Sequence, residues 1–230
     1  MTWQLNCHND HSTNFSESSL MRWPHLVSIA GLITLAACNS AKKPSDTNFT
    51  TAINEYLTKH GEACTVIGRQ FPIDLPRSEQ NEQYGIGPKL AALEQAGLVQ
   101  ATETTAVVHG MLDPLRGSGP AQPVKRYELT ESGRKYFHQI PGTFGQTDGF
   151  CYGRKSVDAI VKWTEPAKVG VSSQSEVTYT YKLVDSAPWA QSPEVQQAFA
   201  DIRTTVNGVS RTTEVAGLQL TSKGWEVPGQ

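Results

Sequence analysis

Leu26 to Ala37 is a run of twelve residues without a charge, and it divides the chain. A helix needs about 20 apolar residues to cross the hydrocarbon core of a bilayer, so the run is too short to span one. Arg22 precedes it, and Cys38 ends it. Whatever the chain folds into must therefore be built from the residues that follow. Cys38–Gln230 comprises 193 residues, enough for one large domain or two small ones with a real apolar core.

A basic residue, a short apolar run, small residues and then a cysteine form the pattern of an export signal. Leu35-Ala36-Ala37-Cys38 resembles the lipobox of bacterial lipoproteins. The resemblance implies that residues 1–37 are a signal segment to be removed, and that the Cys38 thiol accepts a diacylglyceryl group. An N-acyl chain commonly follows. Two or more chains make a stable anchor, at about 0.8 kcal/mol per buried methylene, whereas one holds only marginally. Residue 39 is Asn rather than Asp, which by the same resemblance implies the outer membrane, periplasmic face, with the inner membrane as the alternative. Residues 1–20 fit the signal poorly, because they are polar and carry Asp10 and Glu17. Met21 is the better start, and residues 1–20 are read as a mis-called start; a disordered extension is the alternative.

Composition narrows the partners. The chain has 20 Lys and Arg against 22 Asp and Glu, and without Arg22, Asp10 and Glu17 the remainder has 19 against 20. A charge so close to zero gives no electrostatic reason to expect a nucleic-acid partner. With Cys7 and Cys38 set aside, Cys64 and Cys151 remain. An even pair in an exported protein is expected to form a disulfide, with two separate buried thiols as the alternative. Closing a loop of 87 residues would stabilise the fold by about 4–5 kcal/mol in the chain-entropy picture. No metal site is expected: the chain has no CxxC, and His60, His109 and His138 lack ligand spacing.

The expected architecture is α+β, with a winged-helix-like N-terminal half packed on an antiparallel sheet with one helix. Residues 38–46 are polar and read as a flexible tether. Asp46 or Thr47 is expected to cap a helix whose apolar face is Phe49, Ile53, Tyr56 and Leu57, ending at Gly61. Cys64–Ile67 reads as a short strand and residues 72–83 as a polar loop. A helix opened by Pro88 and closed by Gly97 follows, then a strand from Leu98, a polar gap, a strand at Tyr127 and Leu129, and a helix from Thr130 to Phe137.

Leu90-x-x-Leu93-Glu94-x-x-Gly97-Leu98-Val99, followed by Tyr127-x-Leu129-Thr130-x-x-Gly133, resembles the second half of a winged-helix domain over residues 84–138. The resemblance implies a helix that could enter a nucleic-acid groove and a strand hairpin as the wing. The helix offers Lys89 as its one base, where groove readers show several. Arg116, Lys125, Arg126, Arg134 and Lys135 surround the wing and could be a basic contact patch for an anionic partner or simply a solvated face. The winged-helix-like half is set at residues 47–140.

The antiparallel α+β half is set at residues 141–230. Gly142, Gly145, Gly149 and Gly153 are expected to mark turns. Val157–Thr164 reads as a strand and Pro166–Ser175 as a hairpin loop. Val177, Tyr179, Tyr181 and Leu183 alternate with Thr178, Thr180 and Lys182 over Glu176–Val184. One helix is expected from Ser192 to Ile202, with Pro193 in its first turn and Val195, Phe199 and Ile202 on one face. Short strands are expected at Thr213–Ala216, Leu218–Thr221 and Gly224–Val227. Trp163, Trp189 and Trp225 supply its largest apolar groups, as core or as a ligand groove.

No catalytic residue or cofactor is indicated. The chain has no Gly-x-Ser-x-Gly elbow, no HExxH and no phosphate-binding glycine loop, and Gly117-Ser118-Gly119 is a loop triplet. The sequence thus predicts a lipid-anchored, non-catalytic envelope protein, bound to the membrane through Cys38 and to an unknown envelope protein or polymer. The rival readings are a cell-envelope hydrolase and a membrane-tethered winged-helix regulator.

Overall fold

A computed structural model describes residues 40–108, 119–142 and 145–229. The signal run, Met21, Cys38, His109, Arg116 and the Gly117-Ser118-Gly119 triplet lie wholly or partly outside these residues. The described residues fall in one compact unit. The fold is α+β: two antiparallel sheets with few helices.

Helix α1 spans Asp46–His60. Its cap is Ser45, whose hydroxyl accepts from the Asn48 N–H, rather than Asp46 or Thr47. Phe49, Ala52, Ile53 and Leu57 are its buried face and Gly61 its end, as the helical spacing predicts. Residues 40–45, expected as a free tether, lie against the body. Asn48 Nδ2 donates to the carbonyls of Ser40 and Lys43, and Trp225 Nε1 to that of Lys42.

The larger sheet has seven strands. Its path runs β1 (Glu62–Val66), β6 (Gly145–Trp163), β8 (Ser172–Val184), β9 (Thr213–Leu220) and β10 (Trp225–Glu226). β5 (Phe137–Gly142) pairs with β6, and β7 (Ala167–Val169) pairs with β8. The 19 residues of β6 would extend about 60 Å if straight. Register shifts between Val157 and Ala159 and between Ile160 and Lys162 break its ladder, and bulges of this kind bend a strand. Its first half pairs with β1 and β5, its second with β8.

The smaller sheet has the order β2 (Ile73–Pro76), β4 (Gln122–Leu129), β3 (Val99–Ala106). Helices α2 (Arg77–Gln80) and α3 (Ile86–Gln95) connect β2 to β3. α3 begins two residues before Pro88. It ends in a Schellman arrangement: Gly97 adopts φ +73°, its N–H reaches Glu94 O, and the Leu98 N–H reaches Leu93 O.

Several expectations are corrected. Residues 72–83 are not one loop: Ile73 and Leu75 are buried and pair with β4, which satisfies the backbone that a polar loop would leave to water. The polar gap after Val99 is not all loop, because residues 99–106 and 122–129 pair as β3 and β4 over eight residues. The helix from Thr130 is one turn, α4 (Glu131–Arg134). Gly133 there packs so close that an added Cβ would lie 1.9 Å from Leu98 O, and the chain turns into β5. Gly149 and Gly153 lie inside β6 rather than in turns; a Cβ on Gly149 would collide with Ile140 and Thr65 O of the flanking strands. The Pro166–Ser175 loop contains β7, so the turn itself is Gly170-Val171. The single helix expected at 192–202 is two, α5 (Pro193–Ala198) and α6 (Ala200–Gly208), broken at Phe199, which takes extended backbone at φ −120°. The two strands expected within residues 213–221 are one, β9, running through Gly217.

Buried side chains gather in two cores. One lies between α1 and β8, β9 and β10, around Phe49, Ile53, Val177, Tyr179, Leu218 and Trp225. The other joins the smaller sheet to the first half of β6 and to α5 and α6, around Leu75, Leu93, Phe150, Trp189, Phe199 and Ile202.

Candidate functional site

Cys64 on β1 and Cys151 on β6 are cross-strand neighbours, with Cα atoms 3.9 Å apart, and form a disulfide. Antiparallel pairing brings the residues face to face; the bond joins strands whose cysteines are 87 residues apart in sequence. Next to it lies a cavity of about 390 Å³ lined by Thr58, Lys59, Glu62, His138, Arg154 and Asp185 among others. His138 Nδ1 is 3.8 Å from Glu62 Oε1, and Arg154 Nη2 is 3.9 Å from Asp185 Oδ2. All four side chains are substantially exposed, so these pairs are weak. Glu62, Cys64 and Cys151 place three potential metal-ligating atoms within 4.8 Å of one another. With both sulfurs in the disulfide, neither can supply the thiolate a metal would need, so the set does not make a metal site in this state. His60 instead stacks on Tyr56, ring centroids 4.5 Å apart.

Among the described residues, the basic residues around the wing do not form one surface. Lys125 and Arg126 are consecutive on β4, so their side chains leave opposite faces of the sheet. Lys125 Nζ donates to Glu94 Oε2 on α3 at 2.9 Å. Arg126 makes a two-pronged contact with Asp74 on β2, at 2.7 and 2.8 Å. The Arg126 hydrogen bonds hold the Asp74 carboxyl below its ordinary pKa, and the Glu94 hydrogen bond raises the Lys125 ammonium above its own. Arg134 borders a separate cavity of about 260 Å³ with Phe71, Pro72 and Glu128, and Lys135 is exposed at the end of α4. Lys89, the one base of α3, lies 5.5 Å over the Phe199 ring.

The three tryptophans are packed rather than lining an open groove. Phe49 meets Trp163 and Trp225 edge-on at 5.3 and 5.1 Å. Trp163 Nε1 donates to Asp46 and Trp225 Nε1 to Lys42 O. Trp189 contacts Tyr136, Phe150 and Tyr152 edge-on, and its buried Nε1 finds no partner among the described residues.

Two polar centres were not singled out from the sequence. Asp148 is buried, and its Oδ2 accepts from the Phe71 N–H at 2.8 Å. Glu214 accepts from both Lys155 Nζ and the Tyr179 hydroxyl, and Lys155 Nζ also lies 4.4 Å over the Tyr181 ring. Burial and the Glu214 charge push both tyrosine hydroxyls up, away from ionisation. Asp148 meets a partner 77 positions away, and Glu214 meets Lys155 59 positions away, so no local signal marks either acid. Neither centre opens on a cleft with a nucleophile beside a base, the minimum for covalent catalysis.

No family model, curated protein or solved structure matches the chain.

Proposed function

We propose that the chain is a lipid-anchored cell-envelope protein, held on the periplasmic face of the outer membrane through Cys38, whose body is a non-catalytic binding or interaction module. The observation that carries this reading is the Leu35-Ala36-Ala37-Cys38 tetrad at the end of an uncharged run. The Cys64–Cys151 bond supports it, since disulfides persist in oxidising compartments. So does the spacing: residue 40 is already fastened to the body through Asn48, two residues after Cys38, which limits the distance from anchor to body to about 7 Å. No helix among the described residues is long and apolar enough to cross a membrane.

We read β2, α2, α3 and the β3–β4 pair as a winged-helix-like module within a first half, 47–140, followed by an antiparallel half, 141–230. The support is the strand, helix, helix, strand pair order around a three-stranded antiparallel sheet. Three of the charges that such a module would turn toward a phosphate backbone are engaged elsewhere: Lys125 with Glu94, Arg126 with Asp74, Lys89 over Phe199. This favours a protein or polymer of the envelope over a nucleic acid.

Intact mass of the envelope-extracted protein tests the reading. The expected species is Cys38–Gln230 carrying the lipid and lacking the hydrogen pair lost to the disulfide. Radiolabelled palmitate is expected to enter the wild-type chain and not Cys38→Ser. A water-soluble, unacylated native chain that retains residues 26–37 would overturn the proposal.

A further inference from the structure

The topology gathers a set of chain ends at one pole of the larger sheet. α1 runs antiparallel to the second half of β6: Asn54 Oδ1 accepts from the Val157 N–H, while Asp46, eight residues earlier, meets Trp163 at the end of β6. Residues 40–43 are fastened at that same pole, through Asn48 and Trp225. β10 also belongs there, since Trp225 pairs with Leu220 and Gln219 with Gln174. The β7–β8 hairpin reaches beyond it: Trp163 pairs with Val177, and β8 extends five residues further back to Ser172, against β7.

The tip of this hairpin is Val169-Gly170-Val171-Ser172. Val169 is 54% exposed and Val171 is fully exposed. Gly170 takes φ +64°, the left-handed conformation a tight two-residue turn requires, with nothing near its Cβ position. The turn could have been made with polar residues at no cost to the core, because neither valine belongs to either core. Two branched apolar side chains projecting at the tip of a ribbon need a nonpolar environment to gain anything from their chemistry. Residue 40 is held at this pole, and Cys38 precedes it by two residues, about 7 Å of extended chain. An acylated Cys38 therefore brings this pole to the bilayer, and no other.

We propose that this pole is a second membrane contact, in which Val169 and Val171 of the β7–β8 hairpin enter the phospholipid surface beside the lipid on Cys38. This rests on the lipid-anchor reading and deepens it: one attachment would leave the body swinging on its anchor, whereas two fix which face it turns to the periplasm. The contact is apolar rather than electrostatic. Exposed Lys42, Lys43, Lys168 and Lys223 share the pole with exposed Asp46, Glu165 and Glu176, so their charges largely cancel and anionic lipid is not required.

The test places an environment-sensitive fluorophore on Val171→Cys in the acylated full-length product, reconstituted in phosphatidylcholine vesicles that contain lipids with a quencher in the acyl chain. Tyr84→Cys, at a position 94% exposed in the loop before α3, is the control. Quenching is expected to be about fivefold stronger at position 171, as for a probe about 5–10 Å inside the headgroup boundary. Val169→Asp in the Val171→Cys background is expected to abolish the difference, and adding phosphatidylglycerol to change it little. Palmitate incorporation and flotation with the vesicles are read on the same samples. Acylated, floating protein with equal quenching at both positions overturns this proposal alone. Protein that is neither acylated nor vesicle-bound overturns the anchor as well.

Discussion

The two cores are closed in different ways. Between α1 and the second half of the larger sheet, a four-turn helix lies on long strands, and apolar side chains at regular spacing fill the interface: Phe49, Ile53 and Leu57 from the helix, Val177, Tyr179 and Tyr181 from β8. The other core is assembled from short pieces, including a four-residue strand, two one-turn helices and a helix pair broken at Phe199. The first core also carries polar links, through Asn54, Asp46 and Glu214, but here the chain adds a covalent one to them. The disulfide ties β1 to β6, Asp148 holds the loop at Phe71, Thr130 binds the carbonyls of Gly97 and Leu98, and Asp74 and Glu94 take the two bases of β4. Long regular elements can be specified by pattern alone. Short ones bury too little surface for that, and specific links make up the difference.

The largest effect expected is in the core without cross-links. Phe49→Ala removes a fully buried ring from between Trp163 and Trp225, and should cost about 3–5 kcal/mol, read as a lower urea midpoint with a matching change in tryptophan fluorescence. If the helix-on-sheet core could close over the gap, the loss would fall well below this and the comparison would fail. Replacing Cys64 and Cys151 by Ala together should cost about 2–5 kcal/mol in the same assay, and limited proteolysis should then cut first in the core of short pieces. Cutting first in α1 would contradict the division drawn above.

The smallest effect concerns Asp74. Its carboxyl is held below the ordinary value by Arg126, so the pairing contributes stability that is present above the unfolded-state pKa, near 4, and is lost as pH falls through the lowered folded value. Asp74→Asn should lower stability slightly at neutral pH and leave it nearly unchanged at the acid end, so that the acid limb of stability against pH flattens in thermal melts. An unaltered acid limb would mean that the pair is too solvated to matter.

The same contrast governs what could be read from sequence. α1, β8 and the Cys64–Cys151 pairing were legible because period 3.6, period 2 and an even cysteine count are local or countable signals. β2 was hidden by Pro72 and Pro76, which suit an edge strand as well as a loop. The break at Phe199 carries neither glycine nor proline; positions 195, 199 and 202 have ideal spacing for one continuous face, and only the tertiary core decides otherwise. Gly149 and Gly153 read as turns because close approach of flanking strands leaves no trace in the local pattern. In the candidate sites, the wing charges were visible as residues, but their partners Glu94 and Asp74 are 31 and 52 positions away, beyond any local rule.

β6 places buried side chains in both interiors, Phe150 and Tyr152 in one and Val157 in the other. A slide of one residue along its neighbours would turn its side chains to the opposite faces, emptying both interiors at once. The halves should consequently lose structure together, and amide hydrogens at Tyr152 and Val157 should exchange with solvent at the same free energy of opening.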